Sequence, residues 1–254
     1  MKTLAEINAH LEAWGREFGL PIKDLEQQGS AKSWFDIRLG VATGSNASKI
    51  VAKKDSGTRA TYMAELVAQV CTAARQEKFD FEALKWGREH EEAARRLYAF
   101  QTNNEIVQVG FVFKDESFRV GYSPDFLIKQ AGVLRAGGGE IKCPFNSANY
   151  IKFATGQDLK SEYEWQMNFA IWVLGSEFYD FCQYDPRMLS TTKLHRESFA
   201  PDREKQKKLT DAVPEFIHDM DEMLKSLGVA FGDHWRAIRE QQALAAVTEQ
   251  EGAR

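Results

Sequence analysis

Near residue 105 the spacing of apolar side chains changes, and that change limits the chain to a mixed architecture. Before it, apolar residues recur at helical intervals. Leu4, Ile7, Leu11 and Trp14 form one stripe; Met63, Leu66, Val67, Val70 and Cys71 form a second; residues 78–100 carry a third that includes Leu84, Glu91, Ala94 and Tyr98. After it come EIVQVGFVFKD, SFRVGYSPDFLIKQ and GGGEIKCPF, short runs rich in β-branched and aromatic residues and broken by Gly, Pro and Asp. These predict a small sheet of hairpins. Helical spacing returns at Tyr163, Gln166, Phe169, Ala170 and Val173, and FYDFCQYDPRM reads as a further strand. A late helix carries Phe216, Ile217, Met220, Met223, Leu224 and Leu227 on one face, with Pro214 expected in its first turn. The sum is an α/β sandwich.

At 254 residues the chain is expected to form one domain, 1–254, with residues 236–254 as a tail free to fray because they lack a strong apolar stripe. The net charge of −4 gives no overall basic signature. A nucleic-acid partner would therefore need positive charge concentrated on one face or gathered by oligomerisation. Cys71, Cys143 and Cys182 are widely spaced, which predicts reduced thiols and no structural zinc. The charged, amphipathic start predicts a soluble, intracellular protein with no membrane association.

The stretch GGGEIKCPF carries the chemistry. In an extended strand Glu140 and Lys142 share a face while Ile141 points to the other, and the glycines before them read as a hairpin tip. On the neighbouring strand lies Tyr122-Ser123-Pro124-Asp125, and a hairpin would set Asp125 beside Glu140. Two hard carboxylates suit a Mg²⁺ ion that keeps waters, and a lysine beside them can orient one of those waters. On these residues alone, an exposed ion pair is the competing reading.

Pro124-Asp125 followed by Glu140-Ile141-Lys142 is the PD-(D/E)xK pattern, which is degenerate by itself. Six ordered blocks narrow it: RLGVATGS, ALKWGREHE, SPDFLI, EIKCPF, YDPRM and VPEFIHDMDE. With them the chain resembles the lambda exonuclease family of phage recombination nucleases over nearly its whole length. The resemblance implies a restriction-endonuclease-like core, a small mixed central sheet flanked by helices. It implies a Mg²⁺-dependent enzyme, with Mn²⁺ as a candidate substitute. Such an enzyme enters double-stranded DNA at 5′-phosphorylated ends, degrades the 5′-ended strand processively to mononucleotides, and leaves a 3′ single strand for an annealing protein. It also implies a homotrimeric ring and a cytoplasmic setting in a bacterial cell, encoded by phage or prophage.

By position, the resemblance assigns metal binding to Asp125, Glu140 and the Ile141 carbonyl, and water activation to Lys142. Glu91 and Gln166 complete the catalytic set. Arg38 and Ser45 match a 5′-phosphate pocket. An arginine fork suits phosphate, and the turn residues Thr43–Asn46 predict a helix start at Ser45. Leu84 matches a wedge between the strands at the duplex end, although by helical periodicity alone a place in the core is at least as well supported. Two departures bear on DNA gripping: Ala148 stands where the family's type member has an arginine, and Asn168 where it has a second glutamine. The connection from Asp125 to Glu140 is also longer.

The remaining candidates favour structural roles. His10, His195, His218 and His234 lack ligand spacing, His90 flanks the site, and Trp86 reads as core. Trp165 is undecided between core and base stacking. Lys53, Lys54 and Arg59 read as a polar loop that either touches phosphate or is simply solvated. Two other functions share these features: an endonuclease on the same fold, and a catalytically silent DNA-binding module. Intact Asp125, Glu140 and Lys142 speak against the silent module.

Overall fold

The structure, a computed structural model, describes residues 1–29, 31–75, 81–130, 133–157, 161–189 and 191–252. Helix α1 (Leu4–Phe18) opens with a capping box: the Thr3 hydroxyl accepts from the Glu6 N–H while the Glu6 side chain accepts from the Thr3 N–H. It closes on Gly19 in the left-handed conformation, the residue type that tolerates it best. Ile7, Leu11, Trp14 and Phe18 are buried, as their spacing requires. Two short segments follow, α2 (Lys32–Asp36) and β1 (Ala42–Thr43), then a 3₁₀ turn over Gly44–Asn46 and the single-turn α3 (Ala47–Ile50). Ser56 caps α4 (Gly57–Thr72), and α5 spans Phe81–Thr102.

The chain then enters the sheets. Strands β2 (Glu105–Val107), β3 (Val112–Phe113), β4 (Val120–Tyr122), β5 (Phe126–Gln130) and β6 (Val133–Lys142) lead into α6 (Ser147–Ala154) and α7 (Ser161–Leu174). Strands β7 (Phe178–Tyr184) and β8 (Leu194–Phe199) complete a five-stranded sheet of order β2-β5-β6-β7-β8. Only β6 and β7 pair in parallel there, because the helical crossover through α6 and α7 separates them. A smaller sheet, β1-β4-β3, lies beside it. Helix α5 covers one face of the large sheet: Ala94 and Tyr98 pack with Phe126, Ile128, Ile141 and Cys182. Helix α7 covers the other face, where Tyr163 stacks on Phe181. Alternation along β6 thus sends Ile141 to the α5 side, leaving Glu140 and Lys142 on the α7 side. The mixed α/β sandwich read from the sequence is the fold observed.

Gly137, Gly138 and Gly139 do not form the hairpin tip. They lie inside β6: all three pair with β7, and Gly138 and Gly139 pair with β5 as well, beside an irregularity in the β5–β6 register. The reason is lack of room. A Cβ on Gly137 would sit 2.3 Å from the Phe178 ring, one on Gly139 2.1 Å from the Phe126 ring, and one on Gly138 2.8 Å from the Phe126 carbonyl oxygen. Aromatic side chains of the flanking strands fold over the central strand, and only glycine admits them.

Pro214 is also displaced from its expected place. Helix α8 (Arg203–Ser226) begins well before it, because Asp202 caps the N-terminus, accepting from the Glu204 and Lys205 N–H groups. The proline therefore lies in the helix interior. The final helix, α9 (Asp233–Gly252), continues through the segment expected to fray, and it buries Trp235 and Ile238. His234 is buried with it, its Nε2 against the Leu39 carbonyl, and burial lowers its pKa to about 4. The other elements absent from the sequence reading are β1, α2, α6 and β8. Among the described residues, no helix is long and apolar enough to cross a membrane.

A Gly139→Ala substitution is expected to cost about 3 kcal/mol, the scale of core overpacking. Gly57→Ala, at a helix position with nothing within 4 Å of the added carbon, should be neutral or stabilising by up to about 1 kcal/mol. Urea unfolding of both variants checks the contrast.

Candidate active site

Strand β4 ends at Tyr122. Ser123 and Pro124 carry the chain round to Asp125, whose N–H donates to the Gly139 carbonyl at 3.2 Å. That bond fixes Asp125 at the level of the glycine preceding Glu140. The Asp125 carboxylate then accepts the N–H of Ile141 at Oδ2, 2.5 Å away. Glu140 takes three donors: Lys142 Nζ and Gln166 Nε2 at Oε1, 2.5 and 2.7 Å, and the Tyr122 hydroxyl at Oε2, 2.6 Å. Gln166 is delivered by α7, the helix facing this side of the sheet. The adjacency expected of Asp125, Glu140, Lys142 and Gln166 is therefore present, and all but Lys142 are buried.

Burial pushes the Asp125 carboxyl well above its ordinary range, and the Glu140 and Glu91 charges push it further. Burial acts to lower the Lys142 ammonium, but the Glu140 and Asp125 carboxylates outweigh it and hold it above its usual value. Glu91, on α5, is raised by burial against the opposing pull of Arg95, its ion-pair partner one helical turn on. The Glu140 charge raises both Asp125 and Glu91, and with Lys142 and Arg95 as counter-charges the group is left with excess negative charge that a divalent cation would offset. Among the described residues no three acidic, His or Cys side chains converge as a metal cluster. The donors at hand are the Asp125 and Glu140 oxygens beside backbone carbonyl, an all-oxygen set that fits a hard ion keeping several waters.

A cavity of about 460 Å³ has Arg38, Thr43, Ser45, Asn46, Tyr62 and Arg75 among its walls, and Arg38 links it to the turn that carries Asp125. Arg38 Nη1 donates to Ser123 Oγ at 2.7 Å, and its guanidinium lies 4.3 Å from the Trp34 ring centroid. Burial lowers the Arg38 pKa to about 10, which still leaves it cationic near neutrality. Ser45 is exposed in the 3₁₀ turn, not at the start of a full helix. The turn and α3 together give only a few residues before Val51 leaves helical geometry, so the cavity relies on side chains more than on a helix dipole.

Other candidates sort by their contacts. Leu84 is 51 % exposed on α5, so it does not pack in the core as its spacing allowed. Trp86 is partly buried, wedged between His90, Phe145 and the Arg187 guanidinium. Lys54 and Arg59 are not a phosphate-facing loop: Lys54 pairs with Glu215 and Asp219 of α8, and Arg59 is buried within α4 against Asp219. Asn168 points away from the site and brackets α7 to the start of α8, accepting from Asp202 N–H and Gln206 Nε2. Trp165 is half-buried, with Lys205 and Lys208 over its ring.

Sequence reasoning missed four participants: Tyr122, Ser123, Trp34 and Arg95. Arg95 was detectable as the cation four residues after Glu91 on a helix. Tyr122 and Ser123 adjoin the Pro-Asp pair, but nothing local marks them as partners of Glu140 and Arg38.

Comparison with known proteins bears on this geometry. Residues 33–177 match the YqaJ-like viral recombinase domain. The uncharacterized protein ExoD of Escherichia coli (strain K12) is 35% identical over 88 residues, covering 34% of this chain and all of that protein. The crystal structure of an alkaline exonuclease (LHK-Exo) from Laribacter hongkongensis superposes with a TM-score of 0.64 at 26% identity, over 78% of this chain and 98% of the other. A phage related exonuclease from Haemophilus somnus 129PT, 13% identical with a TM-score of 0.58 over 74% and 96% of the two chains, shares the fold.

Cys143 adjoins Lys142 and is raised to about 12 by burial and by the Glu91 and Asp125 charges. Burial therefore disfavours the thiolate that a nucleophilic cysteine needs. Iodoacetamide should label the exposed Cys71 first and spare Cys143 and the buried Cys182 in the native protein. Peptide mass spectrometry before and after unfolding measures this, and early labelling of Cys143 would contradict it.

Proposed function

Because the chain belongs to the family of YqaJ-like viral recombinase domains, a kinship that supports a nuclease acting on DNA, we propose that it is a 5′-to-3′ exonuclease of double-stranded DNA ends. The observation that carries the proposal is the convergence of Asp125, Glu140, Lys142 and Gln166 beside a cavity whose arginine is bonded to Ser123, two residues from Asp125. End recognition and hydrolysis would then lie within one short loop of each other.

In this reading Asp125, Glu140 and the Ile141 carbonyl hold Mg²⁺. The bound ion would stabilise charge on the phosphodiester and supply a nucleophilic water near neutral pH. The protein's own groups do the rest. Gln166 and Tyr122 fix the rotamer of Glu140, and Lys142, held cationic by its carboxylate neighbours, orients the attacking water and offsets negative charge developing beside it. Glu91, restrained by Arg95, completes the acidic side. Arg38 and Ser45 grip the terminal 5′-phosphate, and the exposed Leu84 parts the strands. Processive degradation would leave a 3′ single strand for an annealing protein. A trimeric ring would let a chain of net charge −4 surround a polyanion with basic side chains turned inward.

The test is digestion of a linear duplex with distinct labels on its strands and a phosphate at one 5′ end, with Mg²⁺ and with chelator, beside a closed circle. Loss of the 5′-phosphorylated strand alone, only with Mg²⁺, is expected; cutting of the circle would replace this reading with an endonuclease. Asp125→Asn, Glu140→Gln and Lys142→Ala should each lower kcat by at least about 10³-fold while duplex binding persists. Arg38→Ala should abolish the preference for phosphorylated ends, and an unchanged preference would move the pocket elsewhere.

A further inference from the structure

Tyr122 is almost wholly buried, at 2% exposure, yet it touches both halves of the site. Its hydroxyl donates to Glu140 Oε2 at 2.6 Å, while the other protein donors to Glu140, Lys142 and Gln166, act on Oε1. The hydroxyl therefore sets the rotation of the carboxylate about its last bond. The ring of the same residue lies under the turn that carries Ser45: a Cβ on Gly44 would sit 2.5 Å from Cε2 and 2.6 Å from Cδ2. Tyr179 buttresses the ring edge-on at 5.8 Å, and its own hydroxyl bonds the carbonyl of Gly139, just before Glu140. The residue following Tyr122 is Ser123, the acceptor for Arg38.

One rigid side chain thus spans from the cavity turn to the carboxylate. We propose that Tyr122 is a positioning residue that holds Glu140 in register with the Ser45 turn, so that an end seated in the cavity meets an already aligned carboxylate. The proposal rests on reading Glu140 as a metal-binding group and the cavity as the end-holding site. It assigns the two tasks to different parts of the residue: the hydroxyl aims Glu140, and the ring supports the turn.

Two substitutions separate the parts. Tyr122→Phe keeps the ring and removes the hydroxyl. It should weaken Mn²⁺ binding to the DNA-free protein, titrated by the loss of the free-ion paramagnetic resonance signal, by about tenfold, and lower kcat by about 10–100-fold. KM for phosphorylated ends, and binding of those ends in chelator, should stay within about twofold. Gly44→Ala drives the ring aside and should weaken both Mn²⁺ binding and the discrimination between phosphorylated and unphosphorylated ends in chelator. Wild-type kcat and Mn²⁺ affinity in Tyr122→Phe would overturn the proposal. If that variant does not fold, unchanged Mn²⁺ affinity in Gly44→Ala would overturn it equally. Glu140→Gln run alongside keeps the two levels apart. Normal hydrolysis by Glu140→Gln sinks the site reading itself, whereas an inactive Glu140→Gln beside an unaffected Tyr122→Phe sinks only the role of Tyr122.

Discussion

The Asp125 carboxylate sits on the Ile141 N–H of the adjacent strand, and the rest of the site is arranged around that bond. A buried carboxylate without partners would be neutralised or excluded. Here the strand edge supplies one partner, and the β5–β6 pairing sets where it lies. The pairing in turn needs a central strand narrow enough for Phe126 and Phe178 to fold over it, which is why three glycines precede Glu140. A backbone requirement and a chemical one therefore meet in the same ten-residue strand. The cost of gathering Asp125, Glu140 and Glu91 is visible in the raised carboxyls of Asp125 and Glu91 and is only partly met by Lys142 and Arg95.

Much of this was legible in the sequence, and the limits are physical. Alternation predicts that Glu140 and Lys142 share a face, and a hairpin predicts Asp125 beside them, because both are short-range geometric rules. Helical spacing located α1, α4, α5 and α7 for the same reason. What failed depended on partners distant in sequence. The glycines resemble a turn unless the aromatic rings of the flanking strands are known. Lys54 and Arg59 resemble a phosphate-binding loop unless Glu215 and Asp219, some 160 residues on, are seen to occupy them. Pro214 resembles a helix start unless Asp202 is recognised as the cap.

The two departures weighed against DNA gripping separate in the structure. Asn168 is committed to tying α8 to α7, so its side chain is not available to a substrate. Ala148 lies near the start of α6 and brings no charge there. Arg187 works there instead: its guanidinium bonds the carbonyls of Pro144 and Phe145, pairs with the buried Asp185, and stacks on Trp86. The exit of β6 is thereby fastened to both the end of β7 and α5.

The contact between Gly44 and the Tyr122 ring has a consequence for divergence. The two positions share one small volume, so they cannot vary independently. A relative that carries even a methyl group at the position of Gly44 has room opposite it only for a side chain shorter than tyrosine, and must then find another donor for its glutamate. Paired change at these positions, 78 residues apart in the chain, would be the mark of that shared space in a set of related sequences.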